Sequence, residues 1–504
     1  MNNNDLNDLR KEINLIDDEI MPLLEKRMEV STKIKNVKKA KSILITDKTR
    51  ENDILNKCAN YKHENSIKSI YKSIFTESKL IQEKKDNNSC LLGLSLPYTY
   101  SKDIHKYFHN DSYDIIETTN PTEYIKKYKN LSVTTPYKNI CFKYALENEF
   151  IIDSNAKETE VINCITKDSG SKGYNLDKQA FLNELLHYNI DIKDKNVLIL
   201  GNGATAKSVY AAVISLHPKS IIVAARNIRN NEILIENIYQ ENITDTINII
   251  INTTSYGVFP NIEIKPIVYL DKFSNLEAVV DVNYNPIRSS LLIEAKKHNI
   301  KSYNGLYMLV ENGRLSEELW QNKSFSESLT NNYVRELTIK YTNIILIGMP
   351  YSGKTTLAKE LSIIMNKNCI DTDLSLSQKD ISIKQLGIEE FRKSETGLAE
   401  HLSTIMPGFI ISTGGGWIEN RFNIDYLKQN GIVVFIDTPL EILNKHIDDS
   451  RPLADNKDKL KNLYMQRHQL YKNAADIVVP INHDTPIYIN ALKIMEKIYE
   501  YYDN

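Results

Sequence analysis

At 504 residues the chain is too long for one hydrophobic core, and about 150 residues per domain suggests three domains or so. Lysine and arginine (63) nearly balance aspartate and glutamate (65), leaving a net charge of −2 that offers no general attraction to nucleic acid or to an anionic membrane. The start MNNNDLNDLR lacks the apolar centre of a signal peptide, no apolar run approaches the roughly 18 residues of a membrane span, and five scattered cysteines (Cys58, Cys90, Cys141, Cys164, Cys369) show no CxxC spacing. A cytoplasmic protein without a disulfide framework or a zinc site is expected.

Residues 1–86 read as all-helical. Leu9, Ile13, Ile16, Ile20 and Leu24 follow a helical spacing, and no glycine occurs before Gly93. Pro22 removes one helix hydrogen bond and should bend the first helix. So short a segment buries little alone, so its long helices are expected to pack against a second copy, giving a homodimer. Arg27 and Lys38 stand close to three whole turns apart and share a helix face. The pattern LR-x-x-I-x-x-I-D…R…K…D-x-x-RE…S-x-x-x-Q, carried by Arg10, Arg27, Lys38, Asp47, Arg50, Glu51, Ser78 and Gln82, resembles the all-helical chorismate mutases. The resemblance implies rearrangement of chorismate to prephenate, a pericyclic step in which positioning and electrostatics do everything. It gives Arg27 and the partner subunit's Arg10 to the substrate carboxylates, and Asp47, Arg50, Glu51 and Ser78 to further substrate contacts. Lys38 and Gln82 would donate to the ether oxygen as its bond breaks.

After the polar run Glu83–Ser89, strand-like pieces (LLGLSL, LSVTT, NVLIL, SIIVAA, INIIINTT, EAVVDV) alternate with helical ones over 88–325, which predicts parallel α/β structure. Asn196–Leu200 leads into Gly201-Asn-Gly203-Ala204-Thr205-Ala206, a GxGxxA turn that in strand–turn–helix context reads as dinucleotide binding; a tight turn alone also matches it. The next strand ends in Ala225-Arg226-Asn227 with no acid, which suits a 2′-phosphate and favours NADP. Thr99-Tyr-Ser101, Ser132-Val-Thr134-Thr-Pro136-Tyr-Lys138, Asn163, Asn175-Leu-Asp177, Asn252-Thr-Thr254, Asp281…Tyr284-Asn-Pro286 and Asn304-Gly305-Leu306-x-Met308 together resemble shikimate dehydrogenase. That resemblance implies a substrate half over about 88–185, a Rossmann half over about 190–290 and a return over about 291–325. Lys138 and Asp177 would handle the proton, while Thr99, Ser101, Thr134, Asn163, Tyr284 and Asn312 contact 3-dehydroshikimate, and Gly305 and Met308 the cofactor. Departures are Lys178-Gln179-Ala180 where Gly-x-Gly is usual, Asn312 for a glutamine, expected to lose a hydrogen bond to the substrate, and Ser132 for an asparagine.

A polar stretch at 321–332 is expected to separate the last domain, 341–504. There Asn343–Ile347 runs into Gly348-Met-Pro-Tyr351-Ser352-Gly353-Lys354-Thr355-Thr356, a phosphate-cradling loop in which Lys354 reaches the outer phosphates of ATP and Thr355 holds Mg²⁺. Asp371-Thr-Asp373, Phe391-Arg392-x-x-Glu395, Thr413-Gly414-Gly415-Gly416, Arg451-Pro-Leu and Arg467-x-x-Leu-Tyr471 follow in the order that resembles shikimate kinase. By that resemblance Asp373 binds substrate hydroxyls, Asp371 supports the metal, Arg392 and Arg467 fork the carboxylate, the glycine triplet lets backbone approach the ring, and Arg451 sits on a lid. Tyr351, Ala454 and a shortened stretch near 381–387 depart from the pattern. The whole reads as a trifunctional shikimate-pathway enzyme. A second reading leaves the kinase and mutase active and lets the middle domain only bind ligand, as scaffold or sensor.

Overall fold

The structure is a computed structural model that describes residues 3–40, 47–83, 88–168, 170–229, 231–240, 243–378, 381, 383–448, 451, 453–482 and 484–503. The chain divides into two compact units, Met1–Asn87 and Asn88–Asn504. The first unit consists of the helices Asn3–Ala40, Lys48–Lys57 and Glu64–Glu83 and a short 3-10 turn, and the first helix continues through Pro22. Leu9, Ile13, Ile16 and Ile20 are exposed in this single chain, at 58%, 57%, 51% and 43%.

The second unit holds three sheets. In the first, β1 (Ser89–Gly93), β2 (Tyr113–Glu117), β3 (Asn130–Val133), β4 (Ile151–Ile152), β5 (Cys164–Thr166) and β6 (Lys172–Tyr174) lie in the order β2-β1-β3-β5-β6-β4. This sheet is mixed: β1 pairs in parallel with β2 and β3, while β5 runs antiparallel to both β3 and β6. The connection from β5 to β6 is too short for the crossover that a parallel pair requires. The second sheet is wholly parallel: β7 (Asn196–Leu200), β8 (Ser220–Ala225), β9 (Ile233–Leu234), β10 (Ile249–Asn252), β11 (Ala278–Asp281) and β12 (Lys301–Asn304) lie in the order β12-β11-β10-β7-β8-β9. The third, also parallel, places β13 (Asn343–Ile347), β14 (Cys369–Asp371), β15 (Ile410–Ser412), β16 (Gly431–Asp437) and β17 (Ile477–Pro480) in the order β14-β15-β13-β16-β17. Both faces of β13 are apolar. Ile345 and Ile347 enter one core with Val433 and Trp417, while Ile344 and Leu346 enter another with Leu357 and Ile494. That is the pattern of a strand covered by helices on both sides.

No separate linker stands between the second and third sheets. The stretch expected to divide them contains the start of the helix Glu327–Lys340, which buries Thr330, Tyr333 and Leu337. Tyr333 stacks on Tyr107 at 3.9 Å, and Leu337 packs with Tyr100, Ile104 and Leu306. The two α/β halves also meet through Arg288. Its guanidinium takes both oxygens of Asp476 at 2.9 and 3.0 Å and donates to the carbonyls of Lys428 and Gly431. Burial disfavours both charges, yet Asp476 holds Arg288 above its ordinary value, and Arg288, Lys428 and the Val433 amide hold the Asp476 carboxyl well below the usual range.

Candidate active sites

In the helical unit, the Arg27 guanidinium donates to Ser78 Oγ and lies over the Phe75 ring, and burial lowers its pKa. Glu51 pairs with Lys79 at 2.8 Å. Asp47 caps its helix by accepting from the Arg50 amide at 3.0 Å, while the Arg50 side chain is exposed. Lys38 is half-buried on the helix that carries Arg27, and Arg10 is exposed near its start. The side chain of Gln82 lies outside the described residues.

The second site is a cavity of about 460 Å³ between the first and second sheets, lined by Thr99, Ser101, Thr134, Lys138, Asn163, Asp177, Thr205, Tyr284, Gly305, Met308 and Asn312 among others. Lys138 opens the helix Lys138–Glu147 and Asp177 opens the helix Asp177–His187, so both side chains sit where helix ends meet the cavity. Lys138 Nζ donates to Asp177 Oδ2 at 2.6 Å, and Asp177 Oδ1 accepts from Asn163 at 2.7 Å and from Asn312 at 2.8 Å. The short amide of Asn312 thus has a partner in Asp177. Lys138 is also 3.4 Å from Thr205 Oγ1, in the first turn after the GxGxxA loop, so the lysine and the dinucleotide turn converge. A β-carbon at Gly203 would meet nothing within 4 Å, which leaves room for a pyrophosphate over the helix start at Ala204 and Ala206, whereas one at Gly201 would press on Thr253. Arg226 and Asn227 follow β8 and are exposed, and Asn202 of the turn donates to the Asn227 carbonyl at 2.7 Å and to Glu232 at 2.8 Å. At Gly305 a side chain would run into the Val282 carbonyl, so only glycine lets this loop meet β11. Tyr284, raised in pKa by burial, bonds Thr99.

The departures after Asp177 point elsewhere. Lys178 pairs with Glu158 at 2.6 Å, Gln179 bonds Asn183, and Ala180 is core beside Phe181. Ser132 faces His105 Nε2 at 3.4 Å, and His105 Nδ1 meets the buried Glu317 at 2.6 Å. Glu317 was not legible beforehand; an acid among the apolar positions of the helix Leu306–Gln321 was the available signal.

The third site is a cavity of about 440 Å³ lined by Tyr351, Ser352, Gly353, Lys354, Thr355, Thr356, Asp373, Thr413 and Arg451 among others. Gly348 (φ 154°) and Gly353 (φ 78°) allow the loop to turn its amides inward. Lys354 Nζ bonds the carbonyls of Gly348 and Met349 at 3.0 and 2.9 Å, and burial first, then the Arg451 charge, push it down to about 7. Thr355 Oγ1 donates to Asp371 Oδ2 at 2.7 Å and lies 3.3 Å from Ser412 Oγ, an all-oxygen set that suits Mg²⁺. Arg451 pairs with Asp373 at 2.6 Å. Arg392 bonds Glu395 and Glu419, each at 2.7 Å, and Arg467 bonds Glu419 at 2.6 Å and the Gly415 carbonyl at 3.2 Å. Burial raises the Glu395 carboxyl to about 7 against the pull of Arg392. The triplet runs close to its neighbours: a β-carbon on Gly414 would press on the Asp373 carboxylate, one on Gly415 would touch Pro350, and one on Gly416 would displace the Arg392 guanidinium. The Tyr351 hydroxyl donates to the main-chain carbonyls of Asp448 and Ala454 at 2.9 and 3.1 Å, and nothing in the structure explains the alanine at 454. Pro452 and, in the shortened stretch 381–387, Ser382 lie outside the described residues, and Gly387 (φ 75°) breaks the helix Ile383–Ser403 there. Sequence reasoning passed over Glu419, which stands beyond the glycine triplet in no recognised string.

Known proteins match each region. The family model for shikimate kinase matches residues 350–502, and that for chorismate mutase type II matches residues 9–83. A shikimate dehydrogenase (NADP(+)) of Clostridium beijerinckii is 31% identical over 258 residues, 48% of this chain and 94% of that protein. A shikimate kinase of Clostridium botulinum is 40% identical over 153 residues, 28% of this chain and 89% of that protein. A crystal structure of a chorismate mutase/shikimate 5-dehydrogenase fusion protein from Clostridium acetobutylicum is 26% identical, covering 50% of this chain and 97% of its own, with a TM-score of 0.45. The chain belongs to the shikimate dehydrogenase family through its middle and to the shikimate kinase family through its C-terminal part, joined to a chorismate mutase type II region in one multifunctional enzyme.

Proposed function

We propose that the three constellations above carry the three activities, with domains at 1–86, 88–325 and 341–504. The reactions are NADP-dependent reduction of 3-dehydroshikimate to shikimate, ATP-dependent phosphorylation of shikimate, and rearrangement of chorismate to prephenate. The observation that carries the reading is the Lys138–Asp177 pair at 2.6 Å inside a cavity that also reaches Thr205.

In the dehydrogenase, Thr99, Ser101, Thr134 and Tyr284 bind and orient 3-dehydroshikimate. NADPH, when bound on Gly201–Ala206 with Arg226 toward its 2′-phosphate, supplies the hydride. Lys138 Nζ gives its proton to the new alkoxide oxygen, and Asp177, fixed by Asn163 and Asn312, holds and aims that lysine. The same pair argues against a domain that only binds.

In the kinase, ATP with Mg²⁺ supplies the phosphoryl group. Lys354 and the loop amides hold the phosphates, Thr355 and Asp371 hold the metal, and Asp373 orients the attacking hydroxyl and takes its proton. Arg392 and Arg467 receive the shikimate carboxylate, and Arg451 neutralises charge on the moving group. In the mutase, Arg27 and the partner subunit's Arg10 clamp carboxylates, Asp47, Arg50, Glu51 and Ser78 complete the contacts, and Lys38 and Gln82 stabilise the breaking ether.

We also infer a homodimer through the N-terminal helices. Two observations support it: the exposed stripe Leu9, Ile13, Ile16, Ile20, and the separation of Arg10 from Arg27, roughly 25 Å along a straight helix, too far for one site in one chain. A cytoplasmic location is supported by five free cysteines, and among the described residues no helix is long and apolar enough to cross a membrane. Chorismate consumption followed by absorbance tests the mutase assignment: Lys38→Ala should abolish it, and an unaffected rate would remove Lys38 from the site.

A further inference from the structure

In this structure the seat that would receive the shikimate carboxylate holds a carboxylate of the protein itself. Glu419 Oε1 accepts from Nε and Nη2 of Arg467 at 2.9 and 2.6 Å, and its Oε2 meets Nη2 of Arg392 at 2.7 Å. The two guanidinium groups thus share one carboxylate, an oxygen each, by charge-assisted bonds of the kind that would hold a ligand carboxylate. Charge sharpens the point. Arg392 and Arg467 already bond two acidic side chains, Glu395, which burial pushes toward its neutral form, and the more exposed Glu419, so an incoming carboxylate competes for guanidinium nitrogens that are already taken.

One of the two acids must therefore yield, and their surroundings differ. The Glu395 side chain is 1% exposed and held on the helix Ile383–Ser403 against Arg392 Nη1 at 2.7 Å. The Glu419 side chain is 37% exposed and ends the single 3-10 turn Trp417–Glu419, directly after the glycine triplet. Water is within its reach and not within that of Glu395.

We infer that Glu419 is an internal stand-in for the substrate carboxylate, a latch seated on Arg392 and Arg467 in the ligand-free kinase that swings into solvent when shikimate binds. The inference rests on the assignment of those two arginines to the substrate carboxylate. Its consequence is a reduced apparent affinity, because only the fraction of molecules with the latch open is competent to bind. Anions too weakly held to displace Glu419 are excluded from the bowl by the same means.

Initial-rate kinetics on the full chain test it, with shikimate varied at saturating ATP and Mg²⁺. Glu419→Gln keeps the shape and removes the competing charge, so the KM for shikimate should fall about fivefold or more while the KM for ATP moves less than about twofold. Glu419→Asp keeps the charge one methylene short of the arginines and should give a smaller fall. Reduction of 3-dehydroshikimate by the same preparations reports that each variant is folded. An unchanged or raised KM for shikimate in both variants would overturn the latch. So would loss of turnover in both, which would make Glu419 a support for the arginines. Arg467→Lys separates the two ideas. A raised shikimate KM there with no fall in Glu419→Gln leaves the carboxylate seat standing and removes only the latch, whereas an unchanged KM in Arg467→Lys removes the seat itself.

Discussion

Lys138 stands between the Asp177 carboxylate and the turn that would carry the nicotinamide dinucleotide, so its loss should be felt in chemistry more than in folding. Lys138→Ala is expected to lower 3-dehydroshikimate reduction by about 10²–10⁴-fold, read as nicotinamide absorbance, with shikimate phosphorylation by the same chain retained. Lys354 makes a prediction in pH. Its folded value of about 7 lies below that of a free lysine, so the cost of burying its charge in the ligand-free fold is full below about 7 and fades as pH rises toward the unfolded value. A phosphate set against it restores the ammonium. Nucleotide binding at pH 8 should then take up a proton, and affinity should fall by up to about tenfold per pH unit above 7. Calorimetric titration at that pH in buffers of different ionisation enthalpy measures the uptake; none would place Lys354 away from the phosphates.

The elements that hold these residues were legible where local signals were strong. Four apolar residues at β13 followed by the glycine loop, and the strand Asn196–Leu200 followed by GxGxxA, mark both strand-to-helix turns in the sequence itself. The antiparallel β5 was not legible, because three residues, Cys164–Thr166, carry no periodicity that distinguishes direction. The effect of Lys178-Gln179-Ala180 was illegible for a different reason. Whether the first turn of the helix Asp177–His187 points into the cavity or away depends on how that helix is docked, which a sequence does not contain. The glycine triplet offers a test at this scale. Gly416→Ala drives a methyl group into Arg392, so shikimate KM should rise by at least about tenfold, the loss of roughly one charge-assisted hydrogen bond, with dehydrogenase activity unchanged. Unchanged KM would show that Arg392 has room to move and is not positioned by the glycine.

Across residues 88–504 the two α/β halves form one compact unit, a result the charged and polar composition of 321–332 concealed. Arg288 lies two residues beyond the Asn285–Pro286 bond near the dehydrogenase cavity and reaches Asp476, the residue before β17 of the kinase sheet. Arg288→Met would leave the buried Asp476 carboxylate only Lys296 at 3.3 Å and the Val433 amide at 2.9 Å, at a cost of up to about 3–5 kcal/mol. Because Asp476 titrates below its unfolded value, the bridge stabilises the fold above that unfolded value and is lost as pH falls through the folded one. The variant should therefore melt in two calorimetric transitions at neutral pH where the parent melts in one, and a single unshifted transition would deny the bridge its structural role.

That two consecutive reactions run on one polypeptide is tested most directly by supplying 3-dehydroshikimate, NADPH, ATP and Mg²⁺ to the purified chain and following products by mass spectrometry. The account predicts shikimate 3-phosphate from the parent chain, accumulated shikimate from Lys354→Ala, and from Lys138→Ala no product unless shikimate itself is added. Phosphorylated product from 3-dehydroshikimate in Lys138→Ala, or none from the parent chain, would contradict it.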